Sequence, residues 1–407
     1  MKDVCVVVGA SHAAAQLAPS VRKNGWEGQI VVVGEEPCLP YHRPPLSKTY
    51  LAGEKKLNNI LIKPQYAYDK ADVHFTLGVK VESIDRDAKT VRLDNGEDMH
   101  YQKLALATGA RSRRIPLPGG NRDGVFYLRN LEDADQIRRY IGHGKRAVII
   151  GGGYIGLEAA AALRKAGMVV TVLEAMARVL QRVTTEEISS FYRRIHTEEG
   201  VDIVVDVAVE RIDGGQAVES VVCADGQTFS ADVVIIGVGV QPNIELAEAA
   251  GLEVGNGIVV DEFARTSDPD IVAAGDCSWH YNPIYDRHIR LESVQNANEH
   301  ANVAAATICG KLEPYRAVPW FWSDQYDLKL QIAGLSQGYD EVIIRGDTEA
   351  GRSFAVFYLL EGRLLAVDAI NKPREFMLGK RIISEALDLD CSGLSDESIP
   401  LKNLINS

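Results

Sequence analysis

Two turns of small residues have the types and spacing to hold phosphates. Gly9-Ala10-Ser11-His12-Ala13-Ala14 and Gly151-Gly152-Gly153-Tyr154-Ile155-Gly156 lie 142 residues apart. Each follows an apolar run of strand type, Val6-Val7-Val8 and Val148-Ile149-Ile150, and each opens an apolar helical pattern. A tight turn at a helix N-terminus offers N–H groups and the positive end of a dipole to a pyrophosphate. In both places a second strand then ends in an acid, Glu35 after Ile30–Gly34 and Glu174 after Val169–Leu173. Such an acid is placed to accept hydrogen bonds from the ribose hydroxyls of a dinucleotide. Two such sites in one chain predict two dinucleotides that meet. The economical pair is a bound flavin and a visiting nicotinamide.

The turns themselves divide the roles. The second keeps all three glycines, Gly151, Gly153 and Gly156, whereas Ser11 and Ala14 stand at the second and third glycine positions of the first. Alanine at the third position still permits close helix–strand packing. Ser11 narrows the approach but offers a hydroxyl to a phosphate. A tightly held cofactor tolerates a bespoke turn and a visitor needs the general one. FAD is therefore assigned to the Gly9 turn and NADH to the Gly151 turn. Glu174 also repels a 2′-phosphate, which favours NADH over NADPH. Arg178 and Arg182 lie near enough to soften that preference; the alternatives for them are a solvated helix face or a pyrophosphate contact.

The elements that must position these turns repeat along the chain. Val81-Glu82-Ser83-Ile84-Asp85 recurs 128 residues later as Val209-Glu210-Arg211-Ile212-Asp213. Hairpin signals follow at Asp94-Asn95-Gly96 and Asp225-Gly226. Each copy ends in a strand that runs into glycine, Leu104 to Gly109 and Val233 to Gly239. The repeat predicts an α/β protein with two Rossmann-like dinucleotide-binding domains. Residues 1–110 form the first, completed by 241–319, because Ile271-Val272-Ala273-Ala274-Gly275-Asp276 has no place in the second copy. Residues 111–240 form the inserted second domain. Residues 320–407 read as an α+β domain, with strands at Glu341–Arg345, Phe354–Leu360 and Arg363–Ile370 and a helix at Arg374–Ala386.

Composition removes other classes. At 407 residues the chain is too long for one core. A net charge of −12 argues against a nucleic-acid binder. No apolar run approaches the roughly 20 residues of a membrane span. The first strand begins almost at once and leaves no room for a signal peptide, so a cytoplasmic protein is expected. Cys5, Cys38, Cys223, Cys277, Cys309 and Cys391 include no C-x-x-C pair. That spacing argues against a disulfide framework, a zinc knuckle and dithiol redox chemistry, and no metal site is expected.

Leu39-Pro40-Tyr41-His42-Arg43-Pro44-Pro45-Leu46-Ser47-Lys48 reads as a rigid, proline-bound loop that opens a helix and presents Arg43 and Lys48. It closely resembles the loop of the FAD-dependent ferredoxin reductases of bacterial oxygenase systems, those serving aromatic-ring dioxygenases and haem-thiolate monooxygenases. The resemblance covers nearly the whole chain. It includes Gly151 to Glu158, Ala274-Gly275-Asp276-Cys277, Glu292-Ser293-Val294-Gln295-Asn296-Ala297 and Pro319-Trp320-Phe321-Trp322-Ser323-Asp324-Gln325. It implies a glutathione-reductase-like FAD/NAD fold. It places Asp276 on the ribityl and pyrophosphate end of FAD, Lys48 beside flavin N5 and paired with Glu158, Arg43 in the flavin site and Trp322 against the isoalloxazine.

The expected flavin site also takes in His12, Pro44, Val81, Thr108, Gly109 and Val294. The expected nicotinamide site also takes in Tyr154, Ile155, Glu158, Arg182, Gly239 and Glu292. Glu158 stands out without the resemblance. It is a lone acid in the apolar run Ile155–Leu163, on a face with Ile155 and Ala162, and a buried charge there needs a partner. The alternative is an acid favoured near a helix N-terminus by the dipole. Trp320, Phe321 and Trp322 fit the core of the C-terminal sheet as well, and Trp320 fits core or rim as readily as an electron path.

The expected reaction is hydride transfer from NADH to FAD N5, then single electrons to a 2Fe–2S ferredoxin that feeds a haem-thiolate or Rieske oxygenase. No iron–sulfur cysteine pattern occurs, so the acceptor is a separate protein. It is expected to be small, acidic and transiently bound, with Arg290, Lys311, Arg316, Lys329, Lys372 and Arg374 as candidate contacts. The chain is expected as a monomer or homodimer. The nearest rival is a rubredoxin reductase, which differs only in its acceptor. An NADH oxidase or peroxidase would need a redox cysteine, for which Cys38 is the residue to watch. A flavin signalling protein akin to apoptosis-inducing factor shares the lysine–glutamate pair but carries targeting and interaction segments not seen here.

Overall fold

The computed structural model describes residues 3–405. Two five-stranded parallel sheets repeat one topology. In the first, Val4–Val8 lies centrally, flanked by Gln29–Gly34 and Lys103–Leu106. Val73–Leu77 closes one edge and Ile271–Ala273 the other. In the second, Arg146–Ile150 lies between Val169–Leu173 and Val233–Ile236, with Val201–Val204 and Val125–Tyr127 at the edges. The strand beside the last repeat strand thus comes from later in the chain in one sheet and from earlier in the other. Both central strands carry continuous buried apolar runs, Cys5–Val8 and Ala147–Ile150, as a sheet covered on both faces requires. Each sheet carries a three-stranded antiparallel meander, Val81–His100 and Val209–Ser230.

The chain clusters into two compact units that cut it differently from the three expected segments. Unit 1 comprises the N-terminal segment to His42, Leu57–Arg111 and Gln241–Trp320. Unit 2 comprises Arg43–Lys56, Ser112–Val240 and everything from Phe321 onward. The C-terminal segment joins the second sheet because they share one core. Phe191 meets Phe354 edge-on at 4.9 Å, and Leu328, Leu330, Val356 and Tyr358 are buried in the same cluster as Leu157 and Ile188. Residues 43–56 join unit 2 through Leu51, which is buried in that core, and through Tyr50, whose hydroxyl donates to Asp135 at 2.8 Å.

The C-terminal sheet has five strands, in the order Trp320–Gln325, Leu328–Gly334, Arg363–Ile370, Phe354–Leu360 and Glu341–Gly346. The first two were not among the expected strands. They are joined at Tyr326, which itself takes φ +55 without a glycine to signal the turn. The helix runs Pro373–Glu385, one residue earlier than expected, since Pro373 supplies a preset φ for a first turn. The Pro44 loop also differs from expectation. Pro44–Ser47 makes one 3-10 turn and opens no α-helix. No helix among the described residues is long and apolar enough to cross a membrane.

Candidate active site

Unit 1 builds its turn by close approach. Gly9 sits at φ +103, and a Cβ there would lie 2.1 Å from the Ala107 carbonyl oxygen, so only glycine fits. The helix His12–Lys23 follows, with Ser11 as an extended N-cap whose side chain makes no cap bond to the helix. Gly275, at φ +88, is packed against Ala13 and Ala297, the first turns of two helices. Asp276 therefore stands beside the starts of both His12–Lys23 and Val294–Ile308. Glu35 is exposed at the end of its strand. Small residues, two helix starts and a carboxylate fit the pyrophosphate and ribose of a dinucleotide. Val81 is buried in the meander. Gly109 takes φ +64, and the Thr108 hydroxyl is committed to the Asn243 carbonyl at 2.7 Å. His12 is buried with its ring 5.4 Å from that of His42.

Unit 2 builds the second turn on the same rules. Gly151 sits at φ +110, with its Cβ position 2.4 Å from the Gly237 carbonyl oxygen, and a Cβ on Gly156 would meet the Gly151 oxygen at 2.1 Å. Gly153 has open space around its Cβ position. Internal packing does not require the absence of a side chain there, and the open space leaves room for a ligand to approach. Gly239, at φ +101, is exposed.

Several of the expected site residues also have partners within the protein. The Glu174 carboxylate accepts from the Gly152 N–H at 2.7 Å and the Met176 N–H at 2.9 Å, so it also braces the turn. Arg178 donates to the Thr184 and Thr185 carbonyls and to Ser189, which fixes it to its own loop, while Arg182 is exposed. Glu292 belongs to unit 1 and pairs with Arg290 at 2.6 Å. Ile155 is 46% exposed and does not share the buried face of Glu158 and Ala162. The Tyr154 ring packs 5.0 Å from Phe321, its hydroxyl is buried without a hydrogen-bond partner among the described residues, and burial pushes that hydroxyl's pKa well up.

Lys48 and Glu158 meet within unit 2. The ammonium Nζ lies 2.6 Å from Glu158 Oε2, and the glutamate is 2% exposed. Ser47 donates to the same oxygen at 2.5 Å, and Ser323 donates to Oε1 at 2.6 Å. A carboxylate this deep is tolerable only with such charge-assisted donors. The Lys48 ammonium also donates to the Pro44 carbonyl at 3.3 Å, and Arg43 donates to the Arg129 carbonyl at 2.9 Å. Trp322 is half-buried on the strand face opposite Ser323. All six cysteines are free thiols. The sequence reading did not assign Ser47 or Ser323. Their signal was polarity within the Pro44 loop and the strand Trp320–Gln325, at positions with no evident need of a hydroxyl.

A family model described as pyridine nucleotide-disulphide oxidoreductase matches residues 3–301, and one described as reductase C-terminal matches 320–405. The chain belongs to the pyridine nucleotide-disulphide oxidoreductase family. It is 46% identical to putidaredoxin reductase of Pseudomonas putida over 99% of this chain and 97% of that one. It is 44% identical to a ferredoxin–NAD(P)+ reductase of a Sphingomonas species, over 98% of this chain and 97% of the relative. The crystal structure of a covalent putidaredoxin reductase–putidaredoxin complex superimposes with a TM-score of 0.96 at 46% identity, covering 99% of this chain and 98% of that one. The resemblance to the reductases of oxygenase systems, read from the Pro44 loop and its companion motifs, therefore holds across the chain. So does the fold class of two Rossmann-like domains with a C-terminal α+β part.

Proposed function

We propose that this protein is an NADH-dependent flavoprotein ferredoxin reductase. The observation that carries the reading is full-length likeness to putidaredoxin reductase, solved in covalent complex with putidaredoxin. When bound, FAD supplies the exchange between a hydride from NADH and single electrons for a 2Fe–2S protein. The chain's residues bind, orient and tune. Gly9, Ser11, Ala14, Glu35 and Asp276 hold the resident dinucleotide, and Gly151, Gly153, Gly156 and Glu174 receive NADH. Lys48 holds a positive charge on the flavin N5 side, where it favours added negative charge. Glu158 orients that ammonium, two of whose three donors go to Glu158 and the Pro44 carbonyl. Arg43 and Trp322 complete the flavin site.

The partner is a small acidic ferredoxin, bound transiently, that passes electrons to an oxygenase. The protein works in the cytoplasm as a monomer or homodimer. The test is NADH-driven reduction of a panel of 2Fe–2S ferredoxins and rubredoxins, with the flavin identified after release. FAD and fast ferredoxin reduction are expected. Turnover confined to rubredoxin would sink the acceptor assignment, and turnover confined to oxygen would sink the reductase reading.

A further inference from the structure

We infer that Ser323 and Gln325 are positioning residues for the Glu158 carboxylate, at the near end of a one-way hydrogen-bond chain that starts at Tyr326 and passes through His196. The inference rests on the proposed role of the Lys48–Glu158 pair. All seven side chains involved, counting Ser47 and Lys48, lie within unit 2.

The contacts run in series. Ser323 Oγ lies 2.6 Å from Glu158 Oε1, and Gln325 Nε2 lies 3.2 Å from Ser323 Oγ. His196 Nε2 lies 2.8 Å from Gln325 Oε1, and the Tyr326 hydroxyl lies 3.1 Å from His196 Nδ1. Ser323 and His196 are fully buried, Gln325 is 1% exposed and Tyr326 is half-buried.

The directions follow from the acceptor at the end. A carboxylate only accepts, so the single hydroxyl hydrogen of Ser323 is committed to Glu158. Ser323 can then only accept from Gln325, which fixes the amide with its nitrogen toward Ser323 and its oxygen toward His196. An amide oxygen also only accepts, so His196 carries its hydrogen on Nε2. Burial holds the His196 pKa down, to about 4, and the ring is neutral at pH 7. Its Nδ1 is therefore a lone pair that accepts from Tyr326. Every donor points toward Glu158, and donors aligned head to tail polarise one another.

This arrangement gives the C-terminal strand Trp320–Gln325 a task. Glu158 Oε2 is shared by Lys48 and Ser47, both from the Pro44 loop. Oε1 is set by Ser323. The strand thereby fixes the rotation of the carboxylate plane, and with it the direction in which Lys48 is held. Alternation along the strand puts Ser323 and Gln325 on one face and Trp322 on the other.

The test uses the flavin-loaded protein. In stopped flow with NADH, Ser323→Ala should slow flavin reduction roughly tenfold, and Ser323→Thr, which keeps the hydroxyl, should restore most of the rate. Ser323→Ala in a Glu158→Gln background should be no slower than Glu158→Gln alone, since the two act as one unit. Nitrogen-15 NMR of histidine-labelled protein, with His196 assigned from His196→Gln, should show the Nε2–H tautomer in the wild type and lose it in Gln325→Leu. A wild-type rate in Ser323→Ala, additive losses in the double variant or an Nδ1–H tautomer would each overturn the inference. Should Ser323→Ala fail to fold, the threonine variant and the tautomer still decide it. A wild-type flavin that NADH cannot reduce defeats the proposed function instead, and the NMR arm is unaffected by that outcome.

Discussion

A buried carboxylate stripped of its cation is one of the more expensive single changes in a protein. Deleting one partner of a buried pair costs roughly 3–5 kcal/mol, because the remaining charge is left uncompensated. Glu158 keeps Ser47 and Ser323 when Lys48 is removed, so the fold has two donors to fall back on. The chemistry has no such reserve, since neither hydroxyl carries charge. Lys48→Ala is therefore expected to retain bound FAD while flavin reduction by NADH slows by about tenfold or more. Flavin content after release and single-turnover kinetics measure the two halves, and wild-type hydride transfer would remove the role given to Lys48. That Glu158 needs a partner was readable because a lone acid in an apolar helix demands one, whereas Lys48 as that partner came from the family resemblance. The serines were not readable. They reach Glu158 from 111 and 165 residues away in sequence, and a hydroxyl in a strand or loop announces no such duty.

At the scale of elements, the same glycine geometry is proposed to serve two different dinucleotides, and one substitution at each turn tests that division. Gly9→Ala and Gly151→Ala each force alanine to φ above +100 and drive a Cβ into a backbone oxygen, at 2.1 and 2.4 Å. Gly9→Ala is expected to purify without flavin. Gly151→Ala should stay flavin-loaded with its KM for NADH raised by roughly tenfold, a loss of about 1.4 kcal/mol in binding. The reverse pattern, a colourless Gly151 variant and a loaded Gly9 variant, would exchange the two assignments. These turns were legible because positive φ and close approach select glycine directly. The strands Phe354–Leu360 and Arg363–Ile370 were legible for a similar reason, their turn Glu361-Gly362 taking φ +50 and +76. Trp320–Gln325 and Leu328–Gly334 lack that signal.

The same sheet also carries a titration that is invisible in sequence. Asp368 accepts from Tyr358 at 2.7 Å and Thr184 at 2.9 Å, and burial pushes its carboxyl from 3.8 up to about 6. Between those values the folded state holds a proton that the unfolded chain has released. Stability therefore falls as pH rises through that window and stays lowered at pH 7. Asp368→Asn should gain on the order of 3 kcal/mol over wild type at pH 7, two units at about 1.4 each. The gap in urea midpoint should close toward pH 4, and a gap that does not change with pH would refute the assignment.

For the whole molecule, charge opposes the proposed partnership and structure must overcome it. A net charge of −12 repels an acidic ferredoxin at long range. The repulsion is screened beyond about 10 Å at 0.1 M salt, whereas contacts at the docking surface persist longer. The candidate cations are fewer than composition suggested. Arg290 is paired with Glu292, Lys372 with Glu397, and Lys311 donates to Asn24. Arg316, Lys329 and Arg374 are exposed, and Lys329 and Arg374 both lie in the C-terminal segment of unit 2. If these two steer the ferredoxin, its second-order rate of reduction should fall as salt rises from about 0.05 to 0.3 M. The double variant Lys329→Glu/Arg374→Glu should slow the low-salt rate about tenfold and flatten the profile. A wild-type rate that climbs with salt would mean that the overall negative field governs the encounter. Local cations would then have no part in steering, and docking would have to depend on apolar contact and shape instead.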